Sequence, residues 1–236
     1  MEKSYSKNIP TLYDKDIKCL YPIIDGECSF ICHYANFLNK QEKQVLQKWL
    51  ENKDYKEGKS ISGKEIPRLQ LWYQLENKYF NDKWKYRYDR WSSQKYDDIL
   101  ENIQMKVNNK TNKLIEEYCP FITKPKINSC LVNKYRNGND SIKPHRDTPD
   151  SFVEYPTITG LSIGGKRNIV FRKIDLDLRN YNSMKKDNNS VMDFEMELED
   201  NSLFIMARAS QKYYSLLHKD FSKDIRYSLT FREFIQ

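Results

Sequence analysis

The sequence predicts an α+β domain whose second half is a closed or sandwiched antiparallel barrel. Helical periodicity is confined to the first half of the chain, whereas short segments of alternating polarity follow from residue 127 onward. Helices first and strands afterwards are typical of the α+β class. At 236 residues the chain is long enough for one sizeable core, and no internal repeat is visible.

The helical half follows a lead-in of mixed polarity over residues 1–35, which we expect to be loosely structured. Asn39 and Glu42 then form an N-cap and N3 pair ahead of apolar residues at helical spacing. A helix is therefore predicted near residues 40–52.

Further elements are predicted from periodicity and turn residues along the rest of the chain. A Gly/Ser/Lys loop follows at 58–63, and two helices are predicted within 97–118, broken near 108–112 where asparagines cluster. The predicted strands are 127–136, 157–163, 167–174, 193–198, 203–207 and 225–233. The polar stretch 175–190 is predicted to be a solvent loop within the barrel half.

Bulk properties exclude several classes of protein. There is no run of eighteen apolar residues and no secretory leader, so we expect an intracellular protein of the nucleus or cytoplasm, neither membrane-spanning nor secreted. Five cysteines at unpatterned spacings argue against a disulfide framework. Cys28, Cys32 and His33 resemble half of a zinc site, but no second cluster completes a tetrahedron.

The net charge of +7 favours a polyanionic partner such as nucleic acid. However, Lys outnumbers Arg 29 to 11 and Asn reaches 20, a bias that an AT-rich genome imposes regardless of ligand. The charge is therefore supporting evidence only.

Three residues are candidate metal ligands: His145 and Asp147 in an H-x-D step, and His218 further along the chain. Two imidazoles and one carboxylate can occupy one face of a divalent metal and leave its other positions open, as in non-haem Fe(II) oxygenases. A zinc hydrolase could use the same three residues, but it would leave Arg226 unexplained.

The predicted strand 225–233 adds two arginines on one face. Apolar residues alternate with polar ones at period two: Ile225, Tyr227, Leu229 and Phe231 against Arg226, Ser228, Thr230 and Arg232. If the polar face points into a cavity, an unpaired guanidinium there needs an anion, and a carboxylate fits its fork. The metal ligands and the arginines together indicate a dicarboxylate co-substrate. The alternative is a surface strand with solvated arginines and histidines used for hydrogen bonding.

The residues from about 66 to 233 resemble the AlkB-like dioxygenases, which use Fe(II) and 2-oxoglutarate and fold as a double-stranded β-helix, or jelly roll. The matching residues are Asn133, Tyr135, Gly138, Asp140, His145, Arg146, Asp147, Ser162, Gly164, Arg167, Phe171, Arg172, Ser202, Leu203, Met206, Gln211, His218, Arg226, Leu229, Thr230, Phe231 and Arg232. The resemblance is greatest to the DNA-repair homologues, which share the Pro67, Arg68, Gln70 step and the Phe171, Arg172 pair.

The resemblance implies a single catalytic domain with three parts. These are the lead-in at 1–35, helical support with a nucleotide-recognition lid at 36–126, and the catalytic core at 127–236. A monomer is expected. The implied reaction uses O2, splits 2-oxoglutarate to succinate and carbon dioxide, and hydroxylates an N-methyl group on a nucleic-acid base. The hydroxymethyl group then leaves as formaldehyde.

The resemblance also implies residue roles. His145, Asp147 and His218 would hold iron. Arg226, helped by Tyr135, would bind the far carboxylate of 2-oxoglutarate. Asn133 and Arg232 would lie near its metal-bound end. The candidate substrate residues are Arg68, Gln70, Trp72, Tyr88, Arg146 and Asp150, with Tyr88 stacking on the damaged base.

Two departures from the family pattern concern ligand recognition. Ser228 replaces the usual asparagine between the arginines, so the carboxylate site is expected to be weaker. Pro149 stands where relatives place an acidic residue that reads an exocyclic amine, and Asp150 is its possible substitute. The preference for methylated adenine or cytosine is therefore open, whereas the oxygenase chemistry is not affected.

Residues 72–91 combine aromatic and basic side chains. The aromatic residues are Trp72, Tyr73, Tyr79, Phe80, Trp84, Tyr86, Tyr88 and Trp91, and the basic ones are Lys78, Lys83, Lys85, Arg87 and Arg90. Rings that stack on bases and cations that follow phosphates are expected at a single-strand or flipped-base site. The alternative is that many of these rings pack against the barrel.

Two other functions remain open at this point. The same oxygenase chemistry could act on a protein or lipid substrate. The chain could also be a catalytically silent nucleic-acid-binding module, although such a module has no need for the metal ligands and both arginines.

Overall fold

The computed structural model describes most of the chain. The described residues are 17–22, 30–59, 63–75, 93–118, 120, 123–145, 147, 152–153, 156–173, 194–207, 213–217 and 223–234. The predicted solvent loop 175–190 lies outside them.

Two helices and twelve strands make up the described part of the chain. The helices are α1 (Lys40–Glu51) and α2 (Asp98–Tyr118). The strands are β1 (Ile17–Pro22), β2 (Phe30–Tyr34), β3 (Leu69–Gln74), β4 (Gln94–Lys95), β5 (Ser129–Tyr135), β6 (Ile142–His145), β7 (Ile158–Gly164), β8 (Arg167–Lys173), β9 (Phe194–Leu198), β10 (Ser202–Ala207), β11 (Tyr213–Leu217) and β12 (Arg226–Arg232).

The strands form two sheets. The major sheet has the order β1-β2-β10-β7-β12-β5-β3-β4 and the minor sheet has the order β6-β11-β8-β9. All neighbours are antiparallel except the short β3–β4 pair. Apolar residues of the two sheets, including Phe204 and Met206 from one and Ile169 and Leu198 from the other, form one buried cluster. The architecture is the double-stranded β-helix, or jelly roll.

The helices cover the outer face of the major sheet. Their apolar residues form a second core with the outward-facing residues of β5, β7, β10 and β12. The predicted capping box is confirmed: Asn39 Oδ1 accepts from the Glu42 amide at 2.9 Å, and Glu42 accepts from the Asn39 amide at 3.0 Å. It begins α1 within one residue of the predicted start.

The predicted break near 108–112 is wrong, because α2 is one continuous helix. Val107, Thr111 and Leu114 continue the buried stripe of the helix through the asparagine-rich stretch. Thr111 is also held by a hydroxyl–hydroxyl contact with Thr159 at 3.2 Å. Burial against the sheet therefore overrides the weak helix propensity of asparagine.

The expectation of a loosely structured lead-in is wrong for two segments within it. β1 pairs with β2, and β2 pairs with β10 inside the major sheet. Ile31 and Cys32 are both buried, on opposite faces of β2. A strand buried on both faces lacks the alternating pattern that identifies half-buried strands, so the signal was absent from the sequence.

The six predicted strands are all present, with each bound within two residues of the one expected. The sequence did not predict the other six strands. Strands β1–β4 lie before position 127, and β6 and β11 are the edge strand of the minor sheet and its neighbour. The predicted part boundaries at 35 and 126 stay a prediction.

Candidate active site

Strand β12 has one apolar and one polar face, as predicted. Tyr227, Leu229 and Phe231 lie in the core beneath the helices. Arg226 and Arg232 lie on the opposite face and are both buried. The central position of β12, between β5 and β7, places this polar face in the interior between the sheets.

Arg226 is a buried cation with unfilled hydrogen-bonding capacity. Its side chain is 2 % exposed, and Nη2 donates to Ser162 Oγ at 2.8 Å. Its guanidinium carbon lies 5.3 Å from the ring centre of Tyr135. Among the described residues, Nε has no hydrogen-bond partner. An unpaired guanidinium donor inside a protein is costly, so this position is suited to an anionic ligand.

Burial lowers the pKa of Arg226, and the nearby Arg167 lowers it further, while the Tyr135 hydroxyl acts in the opposite direction. The described residues around Arg226 are thus cationic or neutral. A carboxylate bound here would supply the missing counter-charge and an acceptor for Nε.

Arg232 pairs with Asp147 at the other end of the same face. Its Nε donates to Asp147 Oδ2 at 2.5 Å, and Nη2 donates to Oδ1 at 3.1 Å. This bidentate pair fixes the orientation of the carboxylate relative to the guanidinium. Each oxygen keeps a lone pair, so Asp147 can still bind a metal.

His145 is the last residue of β6, two positions before Asp147. In the minor sheet it pairs with Ser215 of β11, whereas Leu217 pairs with Ile142 at the start of β6. His218, the third predicted ligand, follows β11 and lies outside the described residues. Within the described residues no group of three or more His, Cys, Asp or Glu side chains forms a metal site. The three-ligand site therefore stays a prediction.

Asn133 lies on the inner face of β5, directly across from Ser228 of β12. Its Oδ1 accepts from Arg68 Nε at 3.0 Å and from Gln70 Nε2 at 2.9 Å. Burial lowers the pKa of Arg68, and Tyr135 and Asp140 oppose that effect. Arg68 and Gln70 are predicted to contact the substrate. The structure shows both hydrogen-bonded to Asn133, which is predicted to lie near the co-substrate.

The inner face of β12 remains partly accessible between its two arginines. Ser228 and Thr230 are half-buried, although Arg226 and Arg232 on either side of them are buried. Ser228 lies across from Asn133 on one side and Ser162 on the other. The floor of the interior between the two guanidinium groups is therefore lined by small polar groups.

Arg167 and Asp140 support the Tyr135 end of this site. Arg167 Nη2 donates to the backbone oxygens of Asn137 and Asp140 at 2.7 and 3.1 Å. Burial acts to raise the pKa of Asp140, but hydrogen bonds from Arg136 outweigh it and leave that pKa below its ordinary value. The loop that follows Tyr135 is consequently held by charge-assisted contacts.

Trp72, which was predicted to line the substrate pocket, belongs to a buried aromatic cluster. It is 3 % exposed and packs edge-on against Phe234 at a centroid distance of 4.8 Å. Phe234 in turn contacts Phe152 at 4.6 Å, and the Arg232 guanidinium lies 5.6 Å from the Phe152 ring centre. The described ring contacts of Trp72 are packing contacts, and its place in the substrate pocket stays a prediction. Tyr73 is likewise buried in the helical core.

Several predicted site residues lie outside the described part of the chain. They are His218, Tyr88, Arg146 and Asp150, together with the aromatic and basic residues of segment 76–92 and the departure Pro149. Their predicted roles are untested. The alternative zinc site is disfavoured at its described residues, because consecutive Cys32 and His33 on β2 point to opposite faces.

Sequence reasoning assigned no role to two residues of this site. Ser162 is the described hydrogen-bond partner of Arg226, and Phe152 packs beneath the Arg232–Asp147 pair. Ser162 could be identified only as part of the family resemblance. Phe152 carries no local signal, because its place depends on a bridge with Phe234.

Comparison with known proteins agrees with the fold. The family described as the 2OG-Fe(II) oxygenase superfamily matches residues 30–232. The chain therefore belongs to the 2OG-Fe(II) oxygenase superfamily, whose members use Fe(II), 2-oxoglutarate and O2. Within it the chain is AlkB-like.

Among individual relatives, the human alpha-ketoglutarate-dependent dioxygenase alkB homolog 3 is 25% identical over 213 residues. The match covers 86% of this chain and 66% of that relative, so the chain spans just under two thirds of its length. The solved structure of OsALKBH1 superposes with a TM-score of 0.59 at 12% identity, covering 91% of this chain and 99% of that one. An oxidoreductase of the 2OG-Fe(II) oxygenase family from Burkholderia pseudomallei gives 0.57 at 6% identity, with 86% and 85% covered.

Proposed function

We propose that this protein is an Fe(II)- and 2-oxoglutarate-dependent dioxygenase that removes N-alkyl groups, methyl above all, from nucleic-acid bases. The observation that carries the proposal is the buried Arg226, whose Nε lacks a partner among the described residues. It lies on the same strand face as Arg232, which holds the predicted metal ligand Asp147.

The chain's own residues can bind and orient the co-substrate. Arg226 and the Tyr135 hydroxyl would hold the carboxylate at one end of 2-oxoglutarate, with Ser162 fixing the guanidinium from behind. The Ser228 side chain is shorter than that of asparagine and would not reach this carboxylate, so Arg226 and Tyr135 would bind it without a third side chain from β12. Asn133 would donate to the other end of the molecule. Binding in this orientation would neutralise the buried charge and exclude water from the interior.

His145, Asp147 and His218 would hold the iron. A carboxylate and two imidazoles suit Fe(II) and leave positions for co-substrate and O2. Bound iron would supply the activation of O2, so that 2-oxoglutarate is split to succinate and carbon dioxide and a substrate C–H bond is hydroxylated. Arg232 would keep the Asp147 carboxylate oriented during this chemistry.

Three observations favour a nucleic-acid substrate. The relative named alkB homolog 3 matches 86% of the chain, the net charge is +7, and segment 72–91 combines rings with cations. A hydroxymethyl group on a base nitrogen is lost as formaldehyde, which restores the unmodified base. We also propose an intracellular location, with which the buried thiol of Cys130 is compatible. No helix within the described residues is long and apolar enough to cross a membrane.

The test combines co-substrate turnover with product detection. Purified protein should form succinate from 2-oxoglutarate only with Fe(II), and His145→Ala should abolish this activity. Methylated DNA and RNA oligonucleotides should release formaldehyde. Iron-independent turnover would refute the oxygenase assignment. Succinate formation without formaldehyde release from any oligonucleotide would instead indicate a protein or lipid substrate. Oligonucleotide binding unchanged in His218→Ala, with no succinate from the wild type, would indicate a silent binding module.

A further inference from the structure

Arg68 and Gln70 connect strand β3 to the co-substrate side of the interior. Gln70 is the second residue of β3, and Arg68 immediately precedes the strand. Both side chains donate to one atom, Oδ1 of Asn133, at 2.9 and 3.0 Å. Arg68 also donates from Nη1 to the backbone oxygen of Ser141 at 3.3 Å, which anchors its guanidinium on the β6 side.

Two donors on one oxygen determine how the Asn133 amide is turned. A side-chain amide has an oxygen that accepts and a nitrogen that donates, and its hydrogen-bond partners decide between its two orientations. With Oδ1 turned toward Arg68 and Gln70, Nδ2 points away from β3. In that direction the cross-strand neighbour is the half-buried Ser228. The amide therefore presents an N–H group to the partly accessible floor between Arg226 and Arg232.

The Gln70 side chain makes no second hydrogen bond to the described residues. It is 7 % exposed, and its backbone pairs with Lys56 through hydrogen bonds of 2.9 and 3.1 Å. Among the described residues its Oε1 has no partner, so the bond to Asn133 is the only hydrogen bond of that side chain. A buried amide that satisfies half of its capacity costs stability, and a role in orienting Asn133 accounts for it.

We propose that Arg68 and Gln70 are positioning residues for co-substrate binding: they hold the Asn133 amide with its N–H group toward a carboxylate of 2-oxoglutarate. Neither residue touches the co-substrate, since both act through Asn133. The inference rests on the co-substrate binding in the proposed function and does not depend on the nucleic-acid substrate. It reassigns two residues that the family resemblance placed against the base.

The test measures the affinity of the Mn(II)-loaded protein for 2-oxoglutarate by isothermal titration calorimetry, without nucleic acid. Gln70→Leu should weaken binding about tenfold, the effect of losing one buried hydrogen bond that orients a ligand group. Gln70→Glu should weaken it more, because a carboxylate facing Oδ1 favours the opposite orientation of the amide. Gln74→Leu is the matched control, because Gln74 lies on the same face of β3 but does not bond to Asn133; it should leave the affinity unchanged.

A double-mutant cycle separates positioning from a general effect of the substitution. Gln70→Leu should cause little further loss in an Asn133→Ala background, and Arg68→Met should behave in the same way. A full additional loss in that background, or equal effects of Gln70→Leu and Gln74→Leu, would overturn the positioning role. Absence of 2-oxoglutarate binding by the wild type would overturn the role and the proposed function together. Wild-type binding with unchanged affinity in Gln70→Leu would overturn the role alone.

Discussion

Arg232 holds Asp147 by two hydrogen bonds across 85 positions of sequence, one of 2.5 Å and one of 3.1 Å. The two residues come from different parts of the barrel: Arg232 ends the central strand β12, and Asp147 follows the edge strand β6. The pair therefore ties the predicted metal ligand to a central strand of the major sheet.

Arg232→Lys keeps the positive charge but cannot reproduce the planar pair of hydrogen bonds from two nitrogens to Asp147. Because partners of metal ligands typically contribute a factor of about 10–100 to metal affinity, Mn(II) binding should weaken by roughly tenfold or more. Mn(II) titration followed by electron paramagnetic resonance measures it. Arg136→Lys is the control, since Arg136 forms a similar bidentate pair with Asp140. Equal losses in both variants would contradict a specific role for Arg232.

Arg226→Met replaces a buried, partly unsatisfied guanidinium with a shorter, apolar, unbranched side chain. The free energy of unfolding without ligand should not fall, because removing an uncompensated buried charge offsets the lost bond to Ser162. In contrast, 2-oxoglutarate should raise the Tm of the wild type and leave that of the variant unchanged. Differential scanning calorimetry with and without 2-oxoglutarate measures both effects. A Tm shift retained in the variant would show that Arg226 does not bind the co-substrate.

Phe152→Ala removes the ring that lies between Phe234 and the Arg232 guanidinium. The cavity should lower the free energy of unfolding by about 3 kcal/mol. Metal affinity should fall as well, because Arg232 loses the surface that orients it toward Asp147. Phe37→Ala is the control: its ring packs against Tyr34 and the helical core and is not part of the Phe152 cluster. Urea unfolding and Mn(II) titration of both variants are compared. Loss of stability without loss of metal affinity in Phe152→Ala would reduce the ring to a packing role.

Asp140→Asn should change how the free energy of unfolding depends on pH in the acid range. The pKa of Asp140 is lowered in the folded protein, so its ionised form stabilises the fold above the ordinary carboxyl pKa of about 4, and this contribution is lost as the pH falls through the lower folded value. The variant should thus be less stable than wild type at pH 7, with a difference that shrinks toward pH 3. Urea unfolding at the two pH values measures it, with the exposed Asp54→Asn as control. A difference independent of pH would contradict the charge-based explanation.

Much of the local structure could be predicted from short stretches of sequence. The Asn39–Glu42 capping box starts α1 as expected, and the alternation along β12 placed Arg226 and Arg232 on one interior face. These features depend on neighbours within a few residues, so a single stretch of chain carries the information. The family resemblance likewise predicted the jelly roll.

Tertiary structure alone decided which distant groups meet. The sequence could not reveal that Asp147 pairs with Arg232, that Ser162 holds Arg226, or that Gln70 donates to Asn133. Local sequence also led to a wrong prediction at α2, where burial against the sheet overrides the weak helix propensity of asparagine. It led to none at β2, because a strand buried on both faces has no alternating pattern. The physical reason is that strand pairing between remote segments is selected by the burial of whole sheet faces, which no local window contains.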